Sequence, residues 1–315
     1  MRNQKGHVMR YIISLLFATF PAIALAEVPK VITDIPPIHA LTAQVMGDLG
    51  TPVLLLDQGA DEHDFQLRPS QMTDIAQADL VVWIGPELTL WLGRALENAN
   101  PGQVSLALLD LEATVTLAEA KHPEDGHAAE DTEHAAEEDH AHKGADPHAW
   151  LDPDNAAIWL DAIAAQLATT DPKNAAAYLA NAKAAKARIA ALDGELQALL
   201  APVKDRPFVT FHDAYGYFVA HYGLTFAGSV AIGDASAPGA ARLRALQKTM
   251  AGGVVCAFPE VQHDPALLLQ MLEGTTVRAG AEIDPVGSSL PVGPDAYETL
   301  MRSLATRLAE CLNGA

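Results

Sequence analysis

The stretch DPKNAAAYLANAKAAKARIAALDGELQALLA, residues 171–201, decides how the rest of the chain is interpreted. Asp171 can cap a helix N-terminus, Pro172 suits the first helical position, and the next proline is Pro202. The apolar positions alternate between steps of four and three residues: Tyr178, Ala182, Ala185, Ile189, Leu192, Leu196 and Leu199. This spacing predicts one helix over residues 171–201, about 45 Å long at roughly 1.5 Å per residue.

The position of this helix predicts the domain organisation. It leaves about 140 residues before it and about 115 after it, and each flank has an ordinary domain size. We therefore expect an N-terminal lobe (27–170), a connecting helix (171–201) and a C-terminal lobe (202–315). An ordinary long helix inside a single domain is the alternative.

Residues 1–26 have the pattern of a secretion signal. The positive residues Arg2, Lys5 and Arg10 precede an apolar run over 11–25, and Ala24-Leu25-Ala26 fits the small-x-small cleavage rule. We expect export to the periplasm. Cleavage would remove three positive charges and no acidic ones, taking the formal net charge from −20 to −23. Such an acidic protein is not expected to bind nucleic acid.

Short apolar runs alternate with helical patterns on both sides of the long helix. The strands are predicted at 31–33, 53–56, 80–84, 104–107, 208–211, 225–230, 254–258 and 276–279. Because these runs are continuously apolar, they indicate parallel sheets covered on both faces, which is the α/β class. In such sheets, ligands bind beyond the carboxyl ends of the strands.

The segment 119–143 differs abruptly from the rest of the chain. It holds nine acidic residues and only two lysines, with no apolar residue larger than alanine. Its histidines are His122, His127, His134, His140 and His142. The composition predicts a mobile loop over about 119–145. Imidazoles and carboxylates that converge on a cation favour a weak metal trap, and a solvated acidic insertion is the alternative.

The two cysteines lie in the last lobe. In an oxidising compartment, the pair Cys256 and Cys311 predicts a disulfide rather than two thiols. Closing a loop of this length would stabilise the lobe by about 4 kcal/mol in the chain-entropy model.

Three histidines stand at the ends of predicted elements. His63 follows the second strand across a polar turn, His212 comes directly after the strand ending at residue 211, and His148 precedes a helix. Asp284 follows the strand 276–279. Together they could form a four-ligand metal site, although a lone histidine in such a place is more often an ordinary hydrogen-bonded residue.

Five short motifs carry a family resemblance. They are EHDFQLRPS (62–70), ADLVVWIGPE (78–87), DPHAWLDP (146–153), FHDAYGYF (211–218) and IDPVG (283–287). These motifs resemble those of the metal-binding solute-receptor family of ABC importers, above all its zinc branch, the ZnuA-type periplasmic proteins. The resemblance covers essentially the whole chain after residue 26, including the acidic histidine loop and the cysteine pair.

The resemblance implies two α/β lobes held by a rigid backbone helix, with the metal in the cleft between them. It implies that His63, His148 and His212 are the nitrogen ligands. The fourth position stays open between Glu62, water and Asp284, with Asp284 favoured as the residue near the metal. Manganese-type relatives have a glutamate at the position of His212, so histidine there favours zinc over manganese.

The expected function is a high-affinity zinc receptor that delivers Zn²⁺ to the membrane permease of an ABC importer, acts as a monomer and is not an enzyme. A zinc hydrolase and a periplasmic zinc buffer are the rivals. The chain has no His-Glu-x-x-His motif and no nucleophile elbow, which argues against the hydrolase. His39, His221 and His263 are interpreted as structural or surface residues, although His39 could flank the cleft.

Overall fold

The structure is a computed structural model that describes residues 28–97, 103–118, 144–231 and 238–314. The predicted secretion signal and the five loop histidines lie outside these residues. The strands are β1 (Val31–Thr33), β2 (Val53–Leu54), β3 (Leu80–Trp83), β4 (Val104–Ala107), β5 (Phe208–Thr210), β6 (Phe226–Ser229), β7 (Cys256–Phe258) and β8 (Arg278–Ala279). The helices are α1 (Pro36–Met46), α2 (Pro69–Gln77), α3 (Leu90–Leu96), α4 (Pro153–Thr170), α5 (Ala175–Leu200), α6 (Gly216–Tyr222), α7 (Ala240–Ala251), α8 (Ala266–Leu272) and α9 (Ala296–Asn313).

The strands form two parallel sheets with the same topology. The first has the order β2-β1-β3-β4 and the second the order β6-β5-β7-β8. Each strand is parallel to its neighbours, with Ile32 opposite Val81 in the first sheet and Val209 opposite Ala257 in the second. The central strands β1, β3, β5 and β7 are buried, as their continuous apolar runs predict. The predicted fold of two parallel α/β lobes is therefore confirmed.

The long helix α5 begins four residues later than the sequence predicts. Asp171 does not cap it, because the Asp171 N–H donates to the carbonyl of Leu167 (2.8 Å) and so closes α4. The Asp171 carboxylate accepts hydrogen bonds from Asn174 Nδ2 (2.6 Å) and the Tyr178 hydroxyl (3.0 Å), which fixes the turn between the helices. Asn174 is the N-cap residue, and the 26 residues of α5 span about 39 Å.

Helix α5 packs against helices that precede it and a helix that follows it in the sequence. Its apolar stripe is buried against α1, α4 and α9 and belongs to one core that reaches into both lobes. Arg188 of α5 donates to Gln44 Oε1 of α1 (2.9 Å), and Gln44 Nε2 donates to Glu298 Oε2 of α9 (3.0 Å). This network ties α1, from the first half of the chain, and α9, from the second half, to α5.

A disulfide joins Cys256 of β7 to Cys311 of α9, with a Cα–Cα distance of 6.3 Å. The predicted pairing is thus present. In the described part of the chain, no helix combines the length and the apolar character needed to span a bilayer.

Candidate metal site

Three histidines that are far apart in sequence meet where the two lobes face each other. His63 lies in the loop after β2, His212 lies two residues past β5, and His148 immediately precedes a 3-10 turn that leads into α4. The ring centroid of His148 lies 5.4 Å from that of His63 and 5.4 Å from that of His212. The rings of His63 and His212 are 6.4 Å apart. The structure therefore brings these three histidines together.

The nitrogen atoms of these rings have the spacing of a metal site. One ligand atom from each histidine lies within 4.8 Å of the other two. Zinc–nitrogen bonds of about 2.0–2.1 Å in a tetrahedron place the nitrogens about 3.4 Å apart, so the cluster would contract by no more than about 1.4 Å. All three Nε2 atoms are buried, and Nε2 of His148 has no hydrogen-bond partner among the described residues.

The ring of His148 is held by Asp146. Asp146 Oδ1 accepts from the backbone N–H of His148 (3.0 Å) and lies 2.7 Å from His148 Nδ1. Because a carboxylate only accepts, Nδ1 carries the proton and Nε2 keeps its lone pair for a cation. Gly216, the first residue of α6, makes room for this carboxylate, since a Cβ there would lie 2.9 Å from Asp146 Oδ2.

The ring of His212 is held by Glu260, whose side chain is fully buried. Glu260 Oε2 hydrogen-bonds to His212 Nδ1, and Oε1 accepts from the His212 backbone N–H (3.2 Å) and the Tyr215 hydroxyl (3.0 Å). Burial, followed by the nearby charge of Glu260, raises the pKa of Tyr215, so its hydroxyl remains a donor. Nε2 of His212 therefore points away from Glu260, just as Nε2 of His148 points away from Asp146.

The loop that carries His63 is fixed through its backbone. Asp61 Oδ1 accepts from the backbone N–H groups of His63 (2.8 Å) and Asp64 (3.3 Å). The indole N–H of Trp91 donates to the carbonyl of Glu62 (2.9 Å). These bonds hold the loop in one conformation and set the position of the His63 backbone.

The segment after His148 is tied to the C-terminal lobe. The indole N–H of Trp150 donates to the carbonyl of Pro285 (2.8 Å), and the hydroxyl of Tyr297 donates to the carbonyl of Trp150 (3.0 Å). Tyr217 of α6 donates to the carbonyl of Asp146 (2.7 Å). The segment that carries His148 is therefore held against the C-terminal lobe.

The two candidates for a fourth ligand lie outside the three-histidine group found among the described residues. Asp284 Oδ1 accepts from Gln262 Nε2 (2.8 Å) and the N–H of Gly287 (2.7 Å). Its Oδ2 accepts from both the N–H (2.9 Å) and the hydroxyl (2.6 Å) of Ser289. Both oxygens are thus already used to organise the loop 284–289. Glu62 is buried, with 2% of its surface exposed.

The other three described histidines have different surroundings. His39 is buried and hydrogen-bonds through Nε2 to the carbonyl of Pro52 (3.1 Å), and burial lowers its pKa. His263 stacks on Phe211, with the ring centroids 4.4 Å apart. His221 lies between carboxylates, away from the three-histidine group. None of the three belongs to that group.

Sequence reasoning missed the two carboxylates that orient the rings. Asp146 stands two residues before His148, so its position in the motif 146–153 was an available local signal. Glu260 is 48 residues from His212 in sequence, and only the pairing of β5 with β7 brings the two together.

The sequence matches one protein family over most of its length. The family model described as zinc-uptake complex component A, periplasmic (ZnuA), matches residues 31–311. The chain belongs to the ZnuA family. The high-affinity zinc uptake system protein ZnuA of Paracoccus denitrificans (strain Pd 1222) is 47% identical over 311 residues, covering 92% of this chain and 93% of the relative.

Solved structures share the fold of this ZnuA family member. The solute-binding protein FpvC of Pseudomonas aeruginosa, in complex with Mn²⁺, has a TM-score of 0.76 at 21% identity and covers 91% of this chain and 99% of its own. A zinc-bound ZnuA deletion mutant lacking residues 138–173 of its own chain has a TM-score of 0.72 at 24% identity, covering 90% of this chain and 98% of its own. At these identities the structures support the fold alone.

Proposed function

We propose that this protein is a periplasmic receptor that binds Zn²⁺ through Nε2 of His63, His148 and His212 and delivers it to the permease of an ABC importer. The observation that carries the proposal is the cluster of three buried imidazole nitrogens within 4.8 Å of one another at the lobe interface. Membership of the ZnuA family supports zinc uptake as the purpose of the site.

For zinc to bind, the three imidazole rings must be neutral and must direct the lone pair of Nε2 towards the ion. Asp146 and Glu260 support this state, because each accepts from Nδ1 and leaves Nε2 for the ion. Their negative charges also lie behind the rings, where they offset part of the charge that Zn²⁺ brings into a buried site. Uptake of zinc would then require little rearrangement of His148 and His212.

The donor set favours zinc over manganese. Imidazole nitrogen suits zinc, whereas manganese prefers carboxylate, carbonyl and water oxygens. We propose Glu62 or water as the fourth ligand. Asp284 is the less suitable candidate because both of its oxygens already accept hydrogen bonds from the loop that it organises.

Binding would also fasten the lobes to each other, since the ligands come from both sides of the cleft. The ties of α1 and α9 to α5 oppose a wide hinge motion. We expect the difference between zinc-loaded and zinc-free protein to be small and local, concentrated near His148. Solution scattering profiles that differ grossly between the two states would contradict this.

The histidine-rich segment remains a separate proposal from the sequence. His122, His127, His134, His140 and His142 would capture zinc weakly and raise its local concentration. The proposed export signal at residues 1–26 would bring the protein to the periplasm, where the ion is collected.

A zinc hydrolase is the rival function, because three protein ligands and an open position also describe catalytic zinc. The ZnuA family consists of transport receptors, which is not an enzyme class. Turnover of an ester or peptide by the zinc-loaded protein, abolished by a chelator, would favour the rival.

Growth under zinc limitation tests the proposed function. A strain that lacks its own zinc receptor should recover with the intact gene and with Arg302→Gln, but not with His212→Ala. Arg302 of α9 is a suitable control because it is partly exposed, pairs with Glu195 of α5 (2.8 Å) and is not a member of the three-histidine group. Recovery with His212→Ala at equal protein level would contradict the proposal.

A further inference from the structure

His221 lies in a different kind of site from the three cleft histidines. It stands in the last turn of α6, and its Nδ1 is 3.0 Å from Asp152 Oδ1. Its Nε2 is 2.9 Å from Asp193 Oδ1. Asp154 Oδ2 is 4.0 Å from Nδ1. The side chain of His221 is only 11% exposed, so these carboxylates are its immediate surroundings.

Both ring nitrogens therefore face oxygens that only accept. A neutral imidazole has a single N–H and could satisfy one carboxylate, whereas the imidazolium donates to both. The hydrogen bond to Asp152, together with Asp193 and against the effect of burial, raises the pKa of His221 to about 9. The C-terminal end of α6 also favours a positive charge.

Asp152, Asp154 and His221 also lie close enough together to form a candidate metal site. A metal would need one ring nitrogen without its proton. Because the charged ring already supplies the cation between the two carboxylates, the ion pair accounts for this cluster without a metal.

The contacts of His221 join the segments that follow two of the cleft histidines. Asp152 lies four residues after His148 and caps α4, accepting from the N–H of Asp154 (2.9 Å). His221 lies on the helix that begins four residues after His212. Asp193 belongs to α5, the spine. One charged ring therefore connects both segments to the same rigid element.

We propose that His221 is a positioning residue for the metal site, holding the start of α4 and the end of α6 on α5 and thereby fixing the separation of His148 and His212. The inference rests on the proposed zinc site. In this proposal, the charged ring of His221 sets the distance between His148 and His212 before zinc binds.

The titratable groups around His221 allow its own titration to be distinguished from theirs. The carboxylates are Asp152 and Asp154 at the start of α4 and Asp193 on α5. Burial raises the pKa values of Tyr222 on α6 and Tyr297 on α9, so both hydroxyls stay neutral through pH 9. A change in stability near that pH that disappears on replacing His221 then reports this ring.

The test compares wild type with His221→Gln and Asp193→Asn, using Arg302→Gln as a matched control. Arg302 of α9 is partly exposed and pairs with Glu195 of α5 (2.8 Å), two residues from Asp193. Melting temperatures are measured on the metal-free full chain from pH 6 to pH 10. Zinc dissociation constants are measured at pH 7 by competition with a chelating dye.

We expect wild type to melt higher than His221→Gln at pH 6.5, with the difference vanishing by about pH 10. His221→Gln and Asp193→Asn should each weaken zinc binding about tenfold, which is the lower end of the effect of losing a residue that orients a metal ligand. Arg302→Gln should leave the zinc dissociation constant within about twofold of wild type. A pH-dependent melting difference with unchanged zinc affinity would reduce His221 to a structural residue and overturn the proposal. Failure of wild type to bind zinc would overturn the proposed function as well.

Discussion

Histidine has different carboxylate partners in two neighbouring regions of the molecule. In the cleft, the Nδ1 atoms of His148 and His212 bond to carboxylates and the Nε2 atoms face the other rings. At His221, both nitrogens bond to carboxylates. A ring with one carboxylate partner keeps a lone pair for a cation, whereas a ring with two becomes a cation itself.

Under the proposed function, His148 and His212, each with one carboxylate partner, act as ligands, whereas His221, with two, acts as a positioning residue. The two regions should therefore respond oppositely to pH. Protons compete with zinc for the cleft histidines in acid, while the His221 ion pairs are lost in base.

The largest expected effect comes from removing a cleft ring. His63→Ala should weaken zinc binding more than about 100-fold, because loss of a direct ligand exceeds the usual cost of losing its outer partner. Competition titration measures the change. Arg302→Gln is the control and should change the affinity by less than about twofold. Equal losses in the two variants would show that the three-histidine group is not the binding site.

Removing the carboxylate behind a cleft ring should cost less. Glu260→Gln replaces an acceptor-only group beside His212 Nδ1 with an amide that can also donate, so the ring loses its fixed orientation. We expect zinc affinity to fall about 10- to 100-fold. Circular dichroism establishes that the variant is folded. An affinity equal to that of wild type would remove Glu260 from the account of the site.

A pH series distinguishes the cleft histidines from His221 within a single protein. Zinc affinity should fall on acidification, because protons compete with the ion for the imidazole nitrogens. The folded-state pKa of His221 is raised to about 9, so its stabilisation is fully present below about pH 6.5 and is lost as the pH rises through 9. Zinc titrations and melting curves over the same pH series measure both. A zinc affinity that is independent of pH would contradict imidazole ligation.

The sequence predicted the fold well where its signals are local. The apolar runs at β1, β3, β5 and β7 locate the buried strands, and the stripe from Tyr178 to Leu196 is buried as its spacing predicts. The start of α5 was wrong by four residues, because Asp171 forms part of the preceding turn.

The site was predictable only in part. His63, His148 and His212 stand in recognisable motifs, but their orienting partners depend on contacts that no local pattern encodes. Glu260 reaches His212, and Asp193 reaches His221, only because helices and strands distant in sequence pack together. The roles of Asp284 and Glu62 in coordination and the limits of the two lobes remain predictions.

The smallest effect is expected from deleting residues 121–143. The proposed ligands His63, His148 and His212 lie outside this segment, so the affinity of the tight site should stay within about twofold while the number of weakly bound zinc ions falls. Calorimetry with and without the segment separates the two classes of site. Loss of tight binding on deletion would place essential ligands in the loop.

The most direct test of the central claim is anomalous diffraction at the zinc edge from crystals of the zinc-loaded protein. We predict one strong peak at the lobe interface, about 2.0–2.1 Å from Nε2 of His63, His148 and His212. A strong peak elsewhere, with these three rings directed to separate places, would contradict the account.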